Sequence, residues 1–160
     1  MSRALLDVNV LLALLDADHV DHRRARDWFT TRIAQGWASC AITQNGFVRI
    51  VSQARYPSPV PVTTAIERLE RATQTEHHAF WPCDRSLVDP GVFDRSRLHG
   101  PRQVTDAYLL ALAVVHAGRL VTFDRPSRAG RRPTDAAGPG SMHAVPIPHP
   151  VPAWICAGER

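Results

Sequence analysis

The sequence predicts an α/β protein with three layers, helices packed on both faces of a central, mostly parallel sheet. Two observations carry this. Short apolar runs of strand length alternate with stretches of helical periodicity through most of the chain, which is what a parallel sheet with helical crossovers produces. In addition, two of those runs, Ala4-Leu5-Leu6 and Leu120-Val121-Thr122-Phe123, each stop at an acid, Asp7 and Asp124. A short apolar run that ends in polar residues reads as a buried strand stopping at a sheet edge. The carboxyl ends of strands are where open α/β sheets bind ligands.

Taken in order, the first strand passes at Asp7 into a helix carrying Val10 to Leu15. Asp7 has two readings there, a helix cap or turn residue and a metal or phosphate site. Residues 19–21 form a loop whose Asp21 precedes a helix over 22–34, with Ala25, Trp28, Phe29 and Ile33 on one face. Gly36 ends it. Residues 37–42 read as a second strand, and Thr43 as the cap of a third helix holding Phe47, Val48, Ile50 and Val51. A proline-rich break over 55–61 follows. A helix then starts at Thr63 or Thr64 with Ala65, Ile66, Leu69 and Ala72 inward, and 79–81 reads as a third strand. The polar segment 82–102 reads as a loop, with room for a short helix around Leu87. Thr105-Asp106 opens the next helix, in which Ala107, Leu110, Ala111, Val114 and Val115 keep i, i+3, i+4, i+7, i+8 spacing up to Gly118. The strand ending at Asp124 comes next. Residues 126–140 are rich in Gly, Pro and Arg without a period and read as a loop. A last strand is expected over 143–147, and the proline-rich 148–160 is a tail that cannot be helical.

At 160 residues the chain is expected to be one domain over 1–147 plus that tail. Its 44% hydrophobic and 21% charged residues are ordinary for a soluble globular protein. No apolar run is long enough to cross a membrane, and the start of the chain lacks a signal-peptide pattern, so the expected location is cytoplasmic. Three scattered cysteines, Cys40, Cys83 and Cys156, suggest neither a disulfide framework nor a zinc knuckle.

The net charge is +4, and all 19 basic residues are Arg. Without Lys, neither a P-loop nor a haloacid-dehalogenase-type phosphatase can be built. Eight of the arginines fall between Arg95 and Arg132, the region that also holds Asp106 and Asp124. Basic side chains gathered near carboxylates suit a polyanionic substrate; a solvated basic face is the alternative. Asp7, Asp106 and Asp124 could converge at one end of the sheet. Acids so placed are what a hard divalent cation needs, since Mg²⁺ takes few carboxylates and keeps several waters. The eight histidines are too scattered to favour zinc.

Four stretches, in order, resemble the motifs of PIN-domain ribonucleases, and most closely the VapC-type toxins of bacterial toxin–antitoxin modules. They are Leu5-Leu6-Asp7-Val8-Asn9-Val10-Leu11, Thr43-Gln44-Asn45-Gly46-Phe47-Val48-Arg49, Gln103-Val104-Thr105-Asp106-Ala107-Tyr108-Leu109 and Leu120-Val121-Thr122-Phe123-Asp124. The resemblance spans residues 3–124. It implies an endoribonuclease dependent on Mg²⁺ or Mn²⁺, an RNA substrate, a cognate antitoxin and a homodimer. It places Asp7, Asp106 and Asp124 at the family's acidic, metal-holding positions, with Asn9 as a polar group assisting the ion site. It also draws Gln44 into the site, at a place where many relatives carry Glu; an amide there can accept or donate a hydrogen bond but brings no charge. Arg49 reads as a structural or antitoxin-pairing group rather than a catalyst, with substrate contact as the alternative. A non-catalytic RNA- or partner-binding module is the rival reading, and a metal-dependent phosphatase a third.

Overall fold

The computed structural model describes residues 2–98, 100–124 and 143–145. The loop expected over 126–140 and the tail over 148–160 lie outside them. Five strands form one sheet: β1 (Ala4–Leu6), β2 (Trp37–Cys40), β3 (His78–Trp81), β4 (Arg119–Thr122) and β5 (His143–Val145). Their order is β3-β2-β1-β4-β5; the first four are mutually parallel and β5 runs antiparallel to β4. Among the described residues, α-helices surround them: α1 (Val8–Leu15), α2 (His22–Arg32), α3 (Ala41–Val51), α4 (Val62–Thr73) and α5 (Arg102–Val115). Among the described residues, no helix is long and apolar enough to cross a membrane.

The three layers follow from the pleat. Successive side chains of a strand point to opposite faces, so Ala4 and Leu6 of β1 enter one core and Leu5 the other. Ala4, Leu6, Trp37 and Val121 pack with Val10 and Leu11 of α1, Phe47 and Val51 of α3, and Ala65 and Leu69 of α4. Leu5, Ala38, Cys40 and Leu120 pack instead with Leu109, Leu112 and Ala113 of α5. Both faces are therefore dry, which is why β1 reads as an uninterrupted apolar run and the middle of β4, Leu120-Val121, is apolar on both faces. Each fully buried Leu in these layers contributes about 1.5–3 kcal/mol.

Several boundaries differ from the sequence reading. β2 stops at Cys40, whose position at the cap of α3 starts that helix three residues early. Thr43 is then not the cap. It lies one turn inside, its hydroxyl accepting from the Cys40 N–H at 3.0 Å. α4 begins at Val62, directly behind Pro61, and leaves Ile66 on the outside, 51% exposed. The described residues of 82–101 hold one short 3₁₀ turn, Arg95–Arg97, and no helix around Leu87. α5 begins at Arg102 behind Pro101, a residue suited to a helix start because it has no N–H to leave unpaired. At the other end of α5 the left-handed residue is Ala117, φ 48°, not Gly118. Gly118 is needed for space: a Cβ there would lie 2.3 Å from the Trp81 ring and 2.8 Å from the Arg3 carbonyl oxygen.

Two contacts set the geometry of the site. A Cβ on Gly46 would meet Val8 Cγ2 at 2.6 Å, so the glycine lets α3 press against the start of α1. At the other end of α1, buried Asp16 accepts from Tyr56 Oη at 2.9 Å and Ser58 Oγ at 3.1 Å, which anchors the proline-rich loop there.

Candidate active site

β1 lies between β2 and β4, so the chain leaves its two neighbouring strands in opposite directions at this point of the sheet. Such a switch point opens a crevice at the carboxyl ends of the strands. Asp7 follows β1 and Asp124 follows β4. Asp106 comes from the second turn of α5, four residues inside the helix rather than at its opening. All three line one groove of about 680 Å³, together with Asn9, Thr105, Cys83 and one face of α3.

Asp7 is 8% exposed. One carboxylate oxygen caps α1, accepting from the Val8 N–H at 2.7 Å, and the other accepts from the Thr122 hydroxyl at 2.7 Å. The cap reading and the site reading are thus both satisfied by one side chain. Thr122 is the hub that the sequence reading missed. Its oxygen also accepts from Asn9 Nδ2 at 3.1 Å and from the Asp124 N–H at 3.0 Å. Asn9 Oδ1 accepts from the Phe123 N–H at 3.2 Å. Asn9 thus ties the start of α1 to the end of β4. Nothing in the local sequence marks Thr122, because two of its partners, Asp7 and Asn9, are brought beside it only by the β1–β4 pairing of Leu6 with Val121.

The electrostatics are those of an acidic site without a counter-ion. Burial pushes the Asp7 carboxyl above its ordinary range, the hydrogen bonds from Thr122 and Val8 pull it back, and the charge of Asp124 adds to the rise. Asp106 is raised as well, first by burial and then by Asp7 and Asp124. The carboxylates of Asp106 and Asp124 have no hydrogen-bond or ion-pair partner among the described residues. Hard oxygen donors gathered so that the proton affinities of Asp7 and Asp106 rise are a fitting set for a divalent cation. Among the described residues, no three acidic, histidine or cysteine side chains stand close enough to enclose an ion by themselves. An ion retaining several waters is the kind such a spread set can hold.

Gln44 is not among the residues lining the groove. Its Nε2 donates to buried Ser39 Oγ at 2.9 Å, and Ser39 in turn lies 2.9 Å from His78 Nε2. The reason is helical phase. With Cys40 as the cap, Ile42, Asn45, Gly46 and Arg49 form the stripe that faces the groove, Thr43, Phe47 and Val51 face the core, and Gln44 falls on the remaining side. Asn45 and Arg49, not Gln44, are what α3 presents to the acids. Gln44→Glu is therefore expected to change the melting temperature by the same amount in EDTA and in Mn²⁺. A difference that appears only with Mn²⁺ would place the side chain in the groove.

Of the eight arginines between Arg95 and Arg132, one that the structure describes stands away from the acids. Arg119 opens β4 at the far end of the sheet from Asp124, where its guanidinium donates to Gln35 Oε1 at 2.6 Å.

A parallel sheet switched at β1, with acids following β1 and β4 and a third on the intervening helix, defines a PIN-type domain. The PIN domain family matches residues 4–129, and the chain belongs to that family. Within it, the chain is similar to the VapC ribonucleases of Mycobacterium tuberculosis. It is 71% identical to Ribonuclease VapC44 over 123 residues, which cover 77% of this chain and 87% of that protein. It is 46% identical to Ribonuclease VapC39 over 125 residues, 76% of this chain and 88% of that one. Ribonuclease VapC29 is 39% identical over 120 residues, 75% and 84% respectively.

Proposed function

We propose that this chain is a divalent-metal-dependent endoribonuclease, acting on RNA as the toxin of a toxin–antitoxin pair. The observation that carries the reading is the convergence of Asp7, Asp106 and Asp124 on one groove at the switch point, with no cation paired to them. The ribonuclease names of relatives up to 71% identical support the same substrate. The nuclease domain is assigned to 1–147, and a cognate antitoxin and a homodimer are its expected partners.

Asp7, Asp106 and Asp124 are the residues that would hold Mg²⁺ or Mn²⁺. When bound, the ion would lower the pKa of a water and stabilise charge on the leaving oxygen of the phosphodiester. The protein's own part is positional. Thr122 and the α1 N-terminus fix the Asp7 carboxylate, leaving little rotational freedom to lose on reaction. Asn9 fixes the backbone that leads into Asp124.

Incubating the purified chain with total RNA in Mg²⁺, in Mn²⁺ and in EDTA, followed by end mapping, tests this. Discrete new ends are expected with either metal and none in EDTA, and p-nitrophenyl phosphate is expected to stay intact in all three. Cleavage that persists in EDTA, or hydrolysis of the monoester, would rule the reading out.

A further inference from the structure

α3 presents a polar end to the groove that the acids do not use. On the stripe Ile42, Asn45, Gly46 and Arg49, the two polar residues stand one turn apart, an i, i+4 pair on one helix face. Gly46 between them brings this stripe against Val8 at the start of α1, beside Asp7. Arg49 is exposed and makes no hydrogen bond or ion pair among the described residues. An arginine serving as counter-ion to the acids would be paired with one of them. This one is not, although it shares their groove. The groove therefore has an acidic wall, from β1, β4 and α5, and a cationic point on α3.

We propose that Arg49 is a substrate-positioning residue that grips a phosphate of the RNA strand, with Asn45 one turn away supplying a neutral hydrogen bond to the same backbone. This rests on the ribonuclease reading and names the protein's own handle on the substrate. The chemistry fits on three counts. A guanidinium offers a planar fork of donors matched to phosphate oxygens and keeps its charge at all working pH values. Three carboxylates would repel an approaching polyanion, so a cation within the same groove is needed to hold the strand until the acids are neutralised. A contact to backbone phosphate also positions RNA without reading its bases.

The test is binding of a fluorescent single-stranded oligoribonucleotide, followed by anisotropy in EDTA over a range of salt concentrations. It compares the Asp106→Asn chain with the same chain carrying Arg49→Ala, Arg49→Lys or Asn45→Ala. Cleavage by the wild-type chain and melting curves of every variant are measured alongside. Arg49→Ala is expected to weaken binding about tenfold and to lower the slope of log Kd against log salt by about 0.7, the loss of one phosphate contact to a single strand. Arg49→Lys is expected to keep the slope and lose only part of the affinity, because the charge remains and the fork does not. Asn45→Ala is expected to weaken binding without altering the slope. In the metal-loaded wild-type background, Arg49→Ala should raise KM more than it lowers kcat. An unchanged Kd and salt slope in Arg49→Ala, with the wild type cleaving RNA, would overturn the role of Arg49 and leave the ribonuclease reading standing. A wild type that neither binds nor cleaves RNA would overturn both. Lower affinity with an unchanged slope and a lowered melting temperature would mark Arg49 as structural and also overturn the proposal.

Discussion

The Asp106→Asn chain is expected to lose RNA cleavage by roughly 10²–10³-fold, on the scale of removing one preorganised electrostatic contribution, while folding as well as the wild type. Asp106 is the cleanest of the three acids for this test. Asp7 also caps α1 and accepts from Thr122, so its replacement disturbs two hydrogen bonds at once. Asp106 has no partner to lose among the described residues. Its carboxyl is raised by burial and by Asp7 and Asp124, and that gives the stability effect a sign. A carboxyl raised on folding binds its proton more tightly in the native state. The metal-free wild type is therefore stabilised by this group's protonation and loses that stabilisation as pH rises from about 4, the unfolded value, through the raised folded value. The amide of the Asp106→Asn chain does not titrate, so that chain has no such loss. The variant should melt at the same temperature as the wild type near pH 4 and above it at neutral pH, in EDTA. Adding Mn²⁺ should then stabilise the wild type more than the variant, because binding to the native state stabilises by mass action. Full cleavage activity in Asp106→Asn, or a variant that melts below the wild type at neutral pH without metal, would remove Asp106 from the shared site.

What the sequence disclosed and what it hid divide along a physical line. The strand-then-acid pattern at Asp7 and Asp124 was legible because both strands are covered on both faces, so their apolar runs are continuous and end sharply at the first carboxylate. Asp106 was legible as an acid on an apolar helix, although the start of that helix was misplaced by three residues because Pro101 can begin a helix that its neighbours do not announce. The face of α3 was not legible. Whether Gln44 or Asn45 meets the groove depends on rotational phase, and the phase is fixed by Cys40, a residue type with weak capping preference. Neither residue's periodicity can settle this in a helix flanked by other elements on several sides. Proximity in sequence is likewise no guide for Arg119, five residues before Asp124, because the length of β4 carries it to the opposite end of the sheet.

Thr122 was hidden for a different reason: its bonds to Asp7 and Asn9 exist only once β1 and β4 pair. That role leads to a second large expected effect. Thr122→Val keeps the shape and β-propensity of the side chain and deletes one hydroxyl. Three groups then lose a partner: the Asp7 carboxylate oxygen 2.7 Å away, the Asn9 amide at 3.1 Å and the Asp124 N–H at 3.0 Å. A buried polar group left unpaired costs about 1–3 kcal/mol, so the variant should be destabilised by an amount in that range. Cleavage should fall about 10–100-fold, the scale on which groups that orient metal-holding side chains act. Thr122→Ser restores the hydroxyl and should recover most of the activity, at the small cost of one buried methyl. The pH dependence separates orientation from mere loss of folding. The Thr122 hydrogen bond is one of the two that hold the Asp7 carboxyl down against burial. Without it the carboxyl rises further, and more of it is protonated and unable to hold a cation at mildly acidic pH. The acid limb of the kcat/KM profile should therefore move to higher pH in Thr122→Val and stay in place in Thr122→Ser. A loss that is equal at every pH, with the acid limb unmoved, would mean that Thr122 supports the fold without governing the charge of Asp7.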